Sequence, residues 1–525
     1  MKKRIVSLLL ALALLVSLVS VSALAEEKEY TIRIMSWHGE ESATKYFVGY
    51  KTIAENYMAL HPNVKIEFVF QPLDGYKELL DTQFISGSAP EIIHMQPWMT
   101  NEYANKGVLY DLTNAYNQPS AYADAARWID TFDLGEASFS STKSNNKYAG
   151  IFFVPNDSNP KYATGQPMMY NKDLFAKAGL DPEKTPSNWT EFMDICQTLL
   201  DAGIIPIASD NERYLGWSLG QCQTGFGIKY VNQYFDEKYN IEAGNDLFWD
   251  KVYICLANGE LADAPYYDDL LTLWKNYEQY WQPGWTGISW PDASNAVLLG
   301  EIAMQQIGSW DLDNYTETIG DRFEWGIFPI PVIDKQSSEY ASGLTNAASN
   351  QQDYGFSINK SIESDAGLEA AVLDYMQFFT SKEQQQIYVD IAVSFSPVTG
   401  VTIPDALAGF VSPVELSIAT EVVGAAFVEW ADGATWTAYA QDYLLGNMSL
   451  EDFKAKVAKS SQEVASDYLE EMMSDTGFSA QIATAEQKLE SMKADGASEA
   501  ALASQQGTID LLKLRMEMVT TYFKH

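Results

Sequence analysis

What most constrains this chain is the repeated switch of hydrophobic period in its first hundred residues. Residues 31–37 alternate Ile32 and Ile34 with polar neighbours, the period of two expected of a strand. Phe47, Tyr50, Ala54, Tyr57 and Met58 then recur at helical spacing. That helix must stop before Pro62, whose ring disfavours helical geometry at His61. Residues 64–70 are rich in β-branched and aromatic side chains and close a βαβ unit. A second helix follows, with Tyr76, Leu79, Leu80 and Phe84 on one face and Gly87 as its stop. Residues 91–95, Glu-Ile-Ile-His-Met, are a short apolar run of the kind buried in parallel sheets. A chain that opens this way is expected to build a doubly wound α/β lobe.

At 525 residues one such lobe does not use up the chain, so a second lobe or domain is expected. Strand and helix signals do continue after Gly150, with more loops and nine tryptophans between residues 189 and 325. Most of those indoles are expected to serve the fold, and the rest are candidates for an exposed stacking surface. From about Ser449 the sequence is helical and charged: residues 452–473 form one amphipathic helix. Beyond Gly477, residues 479–494 and 499–523 form a hairpin punctuated by Gly496.

The compartment is legible at the N-terminus. Lys2, Lys3 and Arg4 precede an apolar run from Ile5 to Val21, and Ser22-Ala23-Leu24-Ala25 places small residues at a cleavage site, which reads as a secretory signal peptide cut after Ala25. No cysteine lies nearby to take a lipid, so the expectation is an extracytoplasmic protein without a lipobox anchor. Acidic residues number 71 against 34 basic ones, a formal charge of −37 that repels phosphates and argues against nucleic acid. Four histidines and three cysteines leave few ligands for a transition metal, and no cofactor motif is present. Cys222 and Cys255 could pair; three buried thiols is the alternative.

Seven motifs in order carry a resemblance: His61-Pro62-Asn63-Val64-Lys65-Ile66, then Ser86-Gly87-Ser88-Ala89-Pro90-Glu91-Ile92-Ile93, then Gly107-Val108-Leu109-Tyr110-Asp111-Leu112. Met169-Tyr170-Asn171-Lys172-Asp173-Leu174-Phe175 through Leu180, Asn188-Trp189-Thr190-Glu191-Phe192, Gly300-Glu301-Ile302-Ala303-Met304 with Gly308-Ser309-Trp310, and Phe328-Pro329-Ile330-Pro331 complete the set. Their order over residues 30–400 resembles the family 1 extracellular solute-binding proteins of sugar ABC importers, the group that includes maltose-binding protein. The sequence departs from that pattern in having Glu91 where Asp is usual, in the long acidic tail, and in lacking the lipid-attachment cysteine.

The resemblance implies an α/β, two-lobed periplasmic-binding-protein type II fold with a C-terminal helical extension. Lobe 1 would take residues 26–151 and 333–395, lobe 2 residues 152–332 and 396–460, and residues 461–525 would pack on lobe 2. Chain crossings are expected near residues 150–155, 328–332 and 395–401, each an extended stretch containing Pro or Gly. It also implies a non-catalytic receptor, working as a monomer, that closes on a small carbohydrate and presents it to a membrane permease.

A neutral sugar offers hydroxyls on its rim and C–H patches on its faces, so its receptor needs aromatic platforms and planar polar groups. In open α/β sheets ligands sit beyond the carboxyl ends of strands. That selects Trp37, His38 and Glu40 after the first strand, and His94, Gln96 and Trp98 at or after the third. Trp310 resembles the family's stacking tryptophan, with Asp311 and Asn314 nearby as acceptors. Asn156 and Asp157 follow the first crossing, Tyr76 begins a helix near the cleft, and Trp217, Trp290, Asp292 and Trp436 complete the candidates.

Two enzymatic readings compete. Gly216-Trp217-Ser218-Leu219-Gly220 matches a nucleophile elbow, but a polar loop precedes it and the only later histidine is His525, so no hydrolase triad is expected. A secreted glycoside hydrolase would need two opposed carboxylates. No local motif selects such a pair.

Overall fold

In the computed structural model the expected switch of period becomes a sheet. The structure describes residues 28–40, 45–133, 135–139, 143, 146–157, 159, 166–211, 215–218, 222, 235–238, 247–260, 265–341, 355–411, 433–494, 496–497 and 499–524. The signal peptide and its cleavage site therefore lie outside the described residues, as does His525.

Strand β1 (Tyr30–Ser36) runs parallel to β2 (Val64–Phe70) and to β3 (Ile92–Met95). Helix α1 (Lys45–Leu60) connects the first two and α2 (Tyr76–Ser86) the second pair. α1 stops at Leu60, ahead of Pro62, and Gly87 ends α2 in the left-handed region at φ 68°, where a side chain would be strained. β1 is flanked by β2 and β3, and side chains from both of its faces are buried. Ile32 and Ile34 pack on α1 and on α11 (Ala366–Phe379), whereas Met35 points to Tyr76 and Met99. Glu91 braces the start of this sheet, accepting the Arg33 backbone N–H at 2.8 Å and its guanidinium at 2.7 and 3.1 Å.

Strands β9 (Gly355–Ile358) and β4 (Val154–Pro155) extend the sheet antiparallel and complete lobe 1 in the order β2-β1-β3-β9-β4. The second sheet has the order β6-β7-β5-β8, built from β5 (Met168–Asn171), β6 (Ile205–Ile207), β7 (Ile302–Gln306) and β8 (Trp325–Phe328). Around it pack α6 (Trp189–Asp201), α7 (Phe248–Ala257), α9 (Trp290–Leu298), α10 (Leu312–Ile319), α13 (Gly433–Leu444) and α14 (Leu450–Met473), with α5 (Lys172–Lys177) and α8 (Pro265–Glu278) between. The Asn188 side chain accepts from Glu191 N–H at 2.9 Å and starts α6, which sends Trp189 and Phe192 into the core. Cys196, Cys222 and Cys255 are free, buried thiols of this core.

Three boundaries differ from the sequence expectation. Val154 and Pro155, expected in lobe 2, pair with β9 in lobe 1; proline is tolerated there because β4 is an edge strand. Residues 333–341, expected in lobe 1, stay on lobe 2: Trp189 N–H donates to Val332 O at 2.8 Å, Thr190 bonds to Asp334, and Ala341 joins the lobe 2 core. Residues 396–401, expected in lobe 2, stay on lobe 1, where Asp133 N–H donates to Pro397 O and Val398 joins the core. Each predicted hinge contains Pro or Gly, yet backbone pairing carries the chain several residues further. The extension also reaches beyond lobe 2. Its helices α15 (Phe478–Ala494) and α16 (Glu499–Tyr522) share the lobe 2 core and touch lobe 1 at Asn146 and, on either side of α4 (Thr113–Tyr116), at Asp111 and Asn117.

Candidate functional site

The carboxyl ends of β1 and β3 lie side by side because the strands are parallel and paired, so the residues that follow them are brought together. Trp37 stacks on His94 with ring centroids 3.9 Å apart and planes 11° apart. His38 stacks on Tyr46 of α1 at 4.8 Å and 12°. Beneath them the Ser36 hydroxyl holds the turn, lying 3.2 Å from His94 Nδ1 and accepting from His38 N–H at 3.0 Å. Burial lowers the His38 pKa to about 4, and burial together with the neighbouring His38 lowers that of His94 well below the usual imidazole range. Both rings are therefore uncharged at neutral pH. At the start of α3 (Pro97–Asn105), Trp98 is 52% exposed and its indole N–H donates to the Gln96 side chain at 2.7 Å, which fixes the ring's direction.

At the end of β4, Asn156 is buried and donates to Tyr50 OH at 3.1 Å. Asp157, at φ 61°, takes hydrogen bonds from Tyr50 at 2.8 Å, from Tyr388 of α12 (Lys382–Ala392), and from Ser394 at 3.3 Å. Three hydroxyls thus converge on one carboxyl, and burial raises its pKa to about 6 in spite of these donors.

On lobe 2, β7 runs into Gly308 and a 3-10 turn at Ser309–Asp311. Asp311 is buried and its carboxylate accepts from Gly308 N–H at 2.9 Å, closing the turn on itself. The Trp310 indole lies over Gly308, where a Cβ would sit 2.2 Å from the ring, and its edge meets Trp217 at 6.1 Å. The ring keeps 44% of its surface open. The lobes meet beside it: the Tyr46 and Ser309 hydroxyls are 3.4 Å apart, and Lys45 pairs with Asp313 at 2.6 Å.

The structure thus gathers Trp37, His38, His94, Gln96, Trp98, Asn156 and Asp157 on one lobe, and Trp217, Trp310 and Asp311 on the other. The remaining candidates play other parts. Tyr76 is 0% exposed behind the strand ends, where its ring meets that of Trp37 edge-on with centroids 5.4 Å apart and its hydroxyl donates to His94 O at 2.9 Å and Met35 O at 3.2 Å. Glu40 is exposed and paired with Lys51. Ser289 caps α9, its hydroxyl accepting from Asp292 N–H and donating to the Asp292 carboxylate, and Trp290 follows that cap and packs on the apolar cluster around α9. Asn314 faces solvent and bonds Thr318 within α10. Trp436 is 6% exposed, stacked on Trp274 in the lobe 2 core. Ser218 is buried, donating to Leu215 O and accepting from Trp274. Tyr46, Tyr50 and Tyr388 were missed by sequence reasoning; Tyr46 and Tyr50, four apart on α1, were the available signal.

This arrangement can do limited chemistry. Asp157 is bound by three hydroxyls, Asp311 by its own turn, and Glu40 and Asp313 by lysines, so each of these carboxylates already has a partner. Lys45 and Lys51 are likewise paired. What remains for a ligand is aromatic surface and neutral hydrogen-bonding groups.

The profile of bacterial extracellular solute-binding proteins matches residues 40–386. An ABC transporter extracellular-binding protein of Pyrococcus horikoshii is 22% identical over 326 residues, 60% of this chain and 64% of that one. The sn-glycerol-3-phosphate-binding periplasmic protein UgpB of Escherichia coli is 24% identical over 185 residues, 35% of this chain and 39% of the relative. The chain therefore spans less than two thirds of the length of either. Among solved structures, the cyclic α-maltosyl-1,6-maltose binding protein of Arthrobacter globiformis superposes with a TM-score of 0.56 at 16% identity, over 84% of this chain and 100% of that one.

Proposed function

The chain belongs to the bacterial extracellular solute-binding proteins, and from that membership and the cleft's chemistry we propose that it is the receptor of an ABC importer for an uncharged sugar or oligosaccharide. The observation that carries this reading is that each lobe presents an open indole, Trp98 after β3 and Trp310 in the turn whose Ser309 meets Tyr46. Indole faces suit the C–H patches of a pyranose, and the neutral polar rim suits its hydroxyls. In this reading Trp37, His38, Gln96, Trp98, Asn156, Trp217 and Trp310 line the cleft, while Asp157 holds the hinge. The lobes close on the sugar by small backbone changes in the crossings, and the importer's permease takes the sugar from the closed form. The protein works as a monomer outside the cytoplasm after cleavage at Ala25. Among the described residues, no helix is long and apolar enough to cross a membrane.

An anionic solute, as in the name of UgpB, is the second reading. It is disfavoured here because the lysines at the cleft are paired and both imidazoles are neutral. A glycoside hydrolase is disfavoured too, since the cleft's carboxylates are occupied and the family binds solutes. A thermal-shift screen over mono- and oligosaccharides with glycerol 3-phosphate alongside tests all three. A neutral sugar should raise the melting temperature by ligand linkage and come back without new reducing ends. A rise with glycerol 3-phosphate alone, or cut glycan, would reject the reading.

A further inference from the structure

The C-terminal hairpin is held differently at its two ends. Its root is apolar and buried: Phe478, Ile482, Leu512, Val519 and Phe523 belong to the same cluster as Trp274 and Trp281 of lobe 2. Arg515, fully buried in that root, bonds Asp250 of α7 at 3.0 and 3.1 Å and donates to Asn146 O at 2.6 Å. The last residues are tied down as well, with Asn258 donating to Tyr522 O and accepting from Lys524 N–H.

The tip rests on lobe 1 through polar groups. Lys488 pairs with Asp111 at 3.2 Å, Asn117 donates to the Ser504 hydroxyl at 2.8 Å, and Asn114 approaches the Met492 sulfur at 3.6 Å. Among the described residues, none of the hairpin joins the apolar clusters of lobe 1. From Ser504 to Tyr522, α16 rises about 27 Å, so one rigid helix runs from lobe 1 to lobe 2. The arm is thus rooted by apolar burial in lobe 2 and bonded to lobe 1 twice, through the buried Arg515–Asn146 contact beside the first crossing and through the exchangeable polar contacts of its tip, so it ties the two bodies together. These contacts coexist with Lys45–Asp313 and Tyr46–Ser309 across the cleft.

We propose that the hairpin is an interlobe brace that stabilises the arrangement in which α1 meets the Ser309–Asp311 turn, and so sets how readily the cleft closes. This rests on the receptor reading for its consequence, since solute affinity scales with the population of the closing-competent state. It touches no ligand.

The test is the variant Lys488→Ala/Ser504→Ala, two surface changes outside the cleft, in full-length protein carrying Ile85→Cys and Leu299→Cys for spin labels on the two lobes. Ile85 and Leu299 are exposed, while the native thiols are buried. Without ligand, the interlobe distance distribution should shift or broaden relative to the unaltered tip. Affinity for the neutral oligosaccharide with the largest thermal shift should fall roughly three- to tenfold, the worth of one or two polar contacts. An unchanged distribution, or a rise in affinity, would overturn the brace. If the unaltered tip binds no neutral sugar, the receptor reading fails, and the ligand-free distances still decide the brace.

Discussion

Replacing Trp310 by Ala isolates the lobe 2 platform. A tryptophan side chain presents about 200 Å² of surface. With 44% of Trp310 open, a stacked pyranose can cover on the order of 80 to 90 Å². At ~25 cal/mol per Å² that is about 2 kcal/mol of apolar contact, and about 1.4 kcal/mol of it already corresponds to a tenfold change in Kd. The fold should lose little, about 1 kcal/mol or less, because the ring rests on Gly308 and touches Trp217 only at its edge. Calorimetric titration of Trp310→Ala with the sugar chosen by thermal shift should therefore show Kd raised at least tenfold, with circular dichroism and melting temperature close to the parent's. Trp310→Phe, which keeps a smaller ring, should fall between. Affinity within twofold of the parent in a folded Trp310→Ala would refute the assignment of that indole to the ligand.

Three other perturbations separate cleft from scaffold. Tyr76→Phe removes a hydroxyl that ties Met35 O and His94 O, so urea unfolding should lose about 1 to 2 kcal/mol while sugar affinity stays within twofold; a selective loss of affinity would put Tyr76 in the cleft. Asp157 has its carboxyl raised to about 6, so its contribution to stability is fully present below the ordinary carboxylate range near 4 and is lost as pH rises through 6. The loss is at most about 3 kcal/mol because the side chain keeps some contact with solvent. Melts from pH 4 to 8 should show this decline, and Asp157→Asn should flatten it; an identical slope in the variant would contradict the account. Arg515→Met leaves Asp250 buried without its partner and should cost about 3 to 5 kcal/mol in urea unfolding; a cost under about 1 kcal/mol would show the pair is not what roots the hairpin.

Local periodicity made the first lobe legible. The stop before Pro62, the Gly87 cap and the apolar run ending at Met95 each depend on backbone preferences within a few residues. The crossings were harder, because a Pro or Gly marks where a chain can bend and not where its pairing ends. Pro155 still lies in β4, and Val332 still bonds α6. Trp310 and Trp436 are the same residue type in similarly aromatic sequence. Only packing separates an open platform from a core plug, and packing depends on residues far away such as Trp274. Asp157 illustrates the same limit, since Tyr50, Tyr388 and Ser394 reach it from segments up to 237 residues apart in sequence. The extension read correctly as helices, but its contact with lobe 1 rests on single polar pairs, such as Lys488 with Asp111, that no period announces.

A crystal structure of the protein with the sugar selected by thermal shift addresses the central claim most directly. The account predicts a pyranose ring against the open face of Trp310, with its hydroxyls bonded to groups from the β1 and β3 ends of lobe 1, so that both lobes touch one intact molecule. A sugar bound to one lobe alone or outside the cleft, or a cleft that takes up glycerol 3-phosphate in preference, would contradict it.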